Sequence, residues 1–241
     1  MRLTFAAFST VMSLIAASAA GSAASLQVTP VSLDVPAPTA ATTITLNNPG
    51  NIPLKAQVRV FKWSIVNGEE HLDPTADVVA SPPVASLQPK TDYVVRVVRT
   101  SKAPVAAEET YRLVIDEIPD RTNQPKNTIA MAFRYSVPVF FTPNGGGNAS
   151  LAWATHTVNG KTYLSATNSG SRRVRIADLK VSDDKGRSVV IAKGLAGYVL
   201  ARSSMSWVAP DTVASAGTPM LVEASGDQGP INARTILNDS H

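Results

Sequence analysis

Asn127-Thr-Ile-Ala-Met-Ala-Phe-Arg-Tyr-Ser-Val-Pro-Val-Phe-Phe141 is the stretch on which the fold turns. It is far longer than an ordinary strand of about five or six residues. Strand side chains point to alternate faces, so Ile129, Met131, Phe133, Tyr135 and Val137 share one face, and Ala130, Ala132, Arg134 and Ser136 share the other. One face is bulky and apolar; the other is small or polar. Such a strand either packs its large side chains into its own core, the commoner case among β-proteins, or offers them to a partner.

Upstream, short β-rich runs alternate with turn residues, and no long apolar pattern at helical period occurs. The expected strands are Leu26 to Val35, Thr42 to Asn48, Leu54 to Ser64, Ala76 to Ala80, Tyr93 to Arg99, Tyr111 to Ile118 and the long run itself. Asn48-Pro49-Gly50, Asn67-Gly68, Ser81-Pro82-Pro83 and Gln88-Pro89 punctuate them. This spacing suits an immunoglobulin-like sandwich. Downstream, Asn144-Gly145-Gly146-Gly147-Asn148 reads as a flexible linker. A second series follows: Ser150 to Ala154, Lys161 to Asn168, Arg172 to Val181, Ser188 to Ala192, Ser206 to Val208 and Met220 to Glu223. The expectation is an all-β chain of two immunoglobulin-like β-sandwich domains in tandem, residues 25–143 and a smaller unit at 148–241.

Residues 1–24 combine Arg2, an Ala-rich apolar run and the small residues Ser22-Ala23-Ala24, which read as a cleaved signal peptide. A membrane anchor would need a longer apolar run, about 20 residues. Export leaves 21 basic residues against 18 acidic, a net of +3, once Arg2 is removed. With no Lys/Arg-rich run, nucleic acid is not an expected partner. Cysteine is absent, so each sandwich must be held by its core rather than by disulfides.

Catalytic and metal chemistry find no support. His71, His156 and His241 stand apart from other ligand types, and Asp183-Asp184 precedes Lys185-Gly186 as a turn would. No nucleophile elbow, phosphate loop or dinucleotide fingerprint occurs. Trp63, Trp153 and Trp207 are scattered among strands, as core or interface residues would be. Neither an enzyme, a cofactor, a metal nor a small-molecule substrate is expected.

Several patterns in the first half, in order, resemble the periplasmic pilus and fimbrial assembly chaperones of the chaperone-usher pathway. They are Ser81-Pro82-Pro83-Val84, Leu87-Gln88-Pro89, Val94-Val95-Arg96-Val97, then Tyr111-Arg112-Leu113 with Asp116-Glu117-Ile118-Pro119. The second half is similar through Leu164 to Asn168 and Gly197-Tyr198-Val199-Leu200. The resemblance implies a periplasmic protein that lends an edge strand to fibre subunits lacking their own last strand and passes them to an outer-membrane usher. The strand would cap the subunit's sheet edge by main-chain hydrogen bonds while its bulky side chains enter the open core. By position after Glu117-Ile118-Pro119, the donor residues would be Ile129, Met131 and Phe133, with Tyr135 following.

Two departures from the family bear on the site. The arginine and lysine that grip the subunit's terminal carboxylate in well-known members are replaced by Pro30 and Pro138, and Tyr135 to Phe140 resembles the divergent, archaic branch. Glu108 falls where the family has an interface acid, but Thr142 stands where its basic partner belongs. A buried carboxylate still requires cations. A hairpin pairing Ile118 with Thr128 would place Arg112 opposite Arg134, so these two are either the replacement anchor, with Arg96 and Arg99 in reserve, or ordinary surface arginines. The alternative is a structural pilin or surface adhesin, which would lack a final strand and carry a donor extension.

Overall fold

The computed structural model describes residues 26–119, 132–210 and 218–236, and every regular element among them is a β-strand. The expectation of an all-β chain therefore holds. The expected signal peptide, the connection 120–126, Thr128, Ile129 and Met131 lie outside the described residues.

The first sandwich contains β1 (Gln27–Thr29), β2 (Leu33–Pro36), β3 (Ala41–Asn47), β4 (Leu54–Val66), β5 (Glu69–Pro74), β6 (Val78–Ser81), β7 (Val84–Leu87), β8 (Asp92–Arg99), β9 (Glu109–Ile118) and β10 (Arg134–Thr142). One sheet runs β1-β3-β8-β6; the other runs β2-β10-β9-β4-β5, with β7 also on β4. Alternation drives both. Leu54, Ala56 and Val58 of β4, Leu113 and Ile115 of β9, and Val137, Val139 and Phe141 of β10 are buried in one core, with Ile44, Val95 and Val97 facing them from the other sheet.

The expected strand Leu26 to Val35 is in fact two. β1 pairs with β3 in one sheet, whereas β2 runs parallel to β10 in the other. The break falls at Pro30, which has no N–H to give to a ladder. Two further strands were illegible for clear reasons: every residue of β5 is exposed, leaving no alternation to read, and β7 is only 4 residues long.

The second sandwich contains β11 (Leu151–Val158), β12 (Lys161–Asn168), β13 (Val174–Asp183), β14 (Ser188–Val190), β15 (Leu195–Val199), β16 (Ser203–Val208), β17 (Pro219–Gly226) and β18 (Gly229–Ile236). Its sheets run β11-β12-β16 and β14-β13-β17-β18, with β15 on β13. Sequence pattern missed β15 and β18. β15 contains Gly197, whose φ of +140° favours glycine. Trp153 and Trp207 stack at 5.9 Å in this sandwich.

Within the run expected as a linker, Asn144 and Gly145 form a turn. Gly145, Gly146 and Gly147 take φ values of +90°, +78° and +78°, and Gly146 N–H donates to the Pro143 carbonyl at 3.0 Å.

Candidate functional site

The last strand of the first sandwich has an unpaired flank. β2 covers β10 only from Val139 to Thr142, and among the described residues no strand pairs with Arg134 to Pro138 on that side. In an antiparallel ladder alternate residues turn both backbone groups to the partner. Because Glu117 N–H donates to the Phe133 carbonyl at 2.9 Å, the odd residues of β10 bond to β9, and Arg134 and Ser136 direct N–H and C=O outward. Pro138 fits here because its nitrogen faces away from β9, where no ladder bond is lost.

The side chains change along the same strand. Val137, Val139 and Phe141 are sealed in the core, whereas Phe133 and Tyr135 are only half-buried. Tyr135 packs against the core rim and donates its hydroxyl to the Leu26 carbonyl. The apolar row thus leaves the protein's own core as it approaches the residues expected to serve as donors.

The register corrects one expectation. Arg134 lies opposite Asp116 and Arg112 opposite Pro138, four places from the pairing of Ile118 with Thr128, so Arg112 and Arg134 do not face each other. Four residues of strand separate the two by about 13 Å. Arg134 is exposed and, with Arg59, pairs with Asp116. Burial would raise the Asp116 carboxyl, but hydrogen bonds from Arg134 and Arg59 hold it below its ordinary value. Arg99 is buried and holds Glu109 through two bonds of 2.8 and 2.7 Å. Arg96 projects from β8, in the other sheet, and is exposed. Of the four expected cations only Arg112 reaches a cleft.

That cleft, about 420 Å³, lies between the two sandwiches and is bordered by Ser32, Asp34, Arg112 and Pro138 on one side and by Arg175 and Tyr198 on the other. Arg112 lies 3.7 Å from the ring centre of Trp63 and donates to Glu70 Oε1 at 3.0 Å. Arg175 is half-buried and makes no ion pair with any described residue. The sequence reading missed it because Arg172-Arg173-Val174-Arg175 looks like a solvated basic edge.

Beyond the cleft the sandwiches are in contact. Trp63 and Phe140 of the first meet Tyr198 and Leu200 of the second, with the Tyr198 ring 5.7 Å from Trp63 and 5.6 Å from Phe140. Arg173, its side chain 3% exposed, supplies the basic group that Thr142 does not. Its backbone N–H and Nη1 donate to Glu108 at 2.8 and 2.6 Å. Nη2 bonds Asp34, and the guanidinium stacks 3.4 Å from the centre of Phe140. Asp34 lies opposite Phe140 in the ladder, so one side chain of the second sandwich fixes both the edge strand β2 and the end of β10.

Glu117, opposite Phe133, turns toward the core face with Ile115, and one carboxylate oxygen is buried without a hydrogen-bond donor. Burial pushes its carboxyl above the ordinary range, a bond with the Phe133 backbone partly opposing. A raised folded-state value contributes stability below the ordinary glutamate range and loses it as pH rises through the raised value. Glu117→Gln should therefore raise the melting temperature at pH 7 and leave it nearly unchanged at pH 4. Equal shifts at both pH values would refute this reading.

The open flank of β10 and the cleft between the sandwiches together form the candidate site. The chain belongs to the pili and flagellar-assembly chaperone family: residues 25–146 match the PapD N-terminal domain. Its fold is shared with the crystal structure of the CsuC-CsuE chaperone-tip adhesion subunit pre-assembly complex from archaic chaperone-usher Csu pili of Acinetobacter baumannii. That match has 21% identity and a TM-score of 0.70, and covers 90% of this chain and 100% of that one. The Salmonella enterica SafA pilin in complex with the SafB chaperone matches at 20% identity and TM-score 0.63, over 89% and 97%. The YadV chaperone matches at 18% identity and TM-score 0.63, over 87% and 98%. No curated protein sequence matches.

Proposed function

We propose that this chain is a periplasmic chaperone that captures pilus or fimbrial subunits by donor-strand complementation and delivers them to an outer-membrane usher, acting by binding and not by catalysis. The observation that carries the reading is the flank of β10 from Arg134 to Pro138, unpaired among the described residues and leading into the cleft. A subunit strand added there bonds to the outward backbone groups, while Ile129, Met131, Phe133 and Tyr135 fill the place of its missing strand. Each such side chain contributes about 1.5–3 kcal/mol on burial, so this row dominates recognition.

The subunit's terminal carboxylate then lies in the cleft against Arg112 and Arg175, two cations from different sandwiches. Charge-assisted hydrogen bonds of this kind are worth about 1.5–3 kcal/mol each. The alternative of a structural pilin expects an empty place for a last strand; β10 occupies that place between β2 and β9. Co-expression with a candidate pilus subunit tests the proposal: a one-to-one periplasmic complex should form. Arg112→Glu should weaken capture by about tenfold or more, and Arg134→Glu, which lies outside the cleft, should change it little. Failure of every cognate subunit to bind, or equal losses from both arginine variants, would overturn the reading.

A further inference from the structure

In the free protein the cleft arginine already holds a carboxylate. Glu70 Oε1 accepts from Arg112 Nη2 at 3.0 Å, and the two side chains differ sharply in exposure: 12% for Arg112, 44% for Glu70. The acid therefore covers the arginine from the solvent side. It comes from β5, an edge strand whose residues are all exposed, carried on the hairpin that β4 makes through Asn67-Gly68. β5 buries nothing of its own, yet the hairpin brings Glu70 to Arg112 while its other strand, β4, anchors Trp63 and Ile65 against the second sandwich.

Two physical facts make this pair replaceable. A mostly buried arginine needs a counter-charge, which Glu70 supplies. A pair with one half-exposed partner, however, contributes little net free energy. Arg112 also has a second support, its stack on Trp63 at 3.7 Å, so the guanidinium keeps its orientation when the acid leaves. Arg175, on the cleft's other wall, has no ion-pair partner among the described residues. A carboxylate seated within the cleft gains both arginines, whereas Glu70 holds one.

We propose that Glu70 is a placeholder that keeps Arg112 oriented and neutralised until the terminal carboxylate of an incoming strand displaces it. The inference rests on the proposed use of the cleft as a carboxylate anchor. Glu70 is thus a positioning residue whose presence sets the threshold for capture: only a chain end that brings a carboxylate outcompetes it.

The test uses the full-length chaperone and a peptide of about a dozen residues from the C-terminus of the co-purifying subunit, made with a free carboxylate and as the terminal amide. Glu70→Gln should bind the free-acid peptide about threefold or more tighter than the parent protein and bind the amide unchanged. Glu69→Gln removes the same charge from the neighbouring position and should match the parent with both peptides. Equal affinities of Glu70→Gln and the parent for the acid, or equal gains for acid and amide, would overturn the placeholder and leave the anchor standing. A parent protein that fails to distinguish acid from amide would overturn the anchor and the placeholder together.

Discussion

Arg173→Ala should lower the unfolding free energy by about 3–5 kcal/mol, the range for removing one partner of a buried ion pair. The cost arises because the carboxylate left behind, Glu108, is 0% exposed and loses its charged partner, the Nη1 bond, keeping only the bond from the backbone N–H of residue 173. The Asp34 bond and the stack on Phe140 go too. Lysine should not rescue: a point charge cannot bond two carboxylates while lying flat on a ring. Arg173→Ala combined with Glu108→Ala should cost less than the sum of the single changes, because neither charge is then stranded. Urea unfolding followed by tryptophan fluorescence reads the effect, since Trp63 lies in the same interface. A loss below about 1 kcal/mol, as for an exposed pair, would show that the sandwiches are not locked through this residue.

The second large effect is on binding. Phe133→Asp and Met131→Asp should each abolish subunit capture while leaving the chaperone folded. Phe133 lies where the apolar row of β10 has left the core and is only half-buried, so a carboxylate there is tolerated by the free protein. In a complex the same carboxylate would enter an apolar groove, losing about 1.5–3 kcal/mol of burial and adding the cost of an unpaired charge. Co-purification should fall below detection at unchanged circular dichroism and unchanged urea midpoint. Capture at parental levels by both variants would place the donor row elsewhere.

The sequence showed the parts of the fold that alternation dictates. The first half of β4 follows it residue by residue, whereas β9 and the second half of β10 are covered on both faces, and the sheet they form is the one that positions the site. Register was another matter. The pairing of β9 with β10 is set by the connection between them, and assuming a tight hairpin displaced Arg134 from Asp116 to Arg112. The break in the first strand was encoded by Pro30, but a single proline also fits the edge of an unbroken strand. Arg96 and Arg99 belong to one strand and face opposite ways, a difference visible only once Arg99 is seen buried against Glu109. Hardest to read were the partnerships that cross between the sandwiches: Arg173 meets Asp34 and Glu108, and Arg175 shares a cleft with Arg112. Such pairs are far apart in sequence and obey no period, so only the folded chain reveals them.

Amide hydrogen exchange on β10, with and without a bound subunit, tests the loaned-strand account most directly. The N–H groups of Arg134 and Ser136 point to the flank that is unpaired among the described residues and should exchange rapidly in the free chaperone. In the one-to-one complex they should become as protected as Tyr135 and Val137, which already bond to β9. A stable complex in which Arg134 and Ser136 exchange as fast as before would mean that the subunit is held by some other surface.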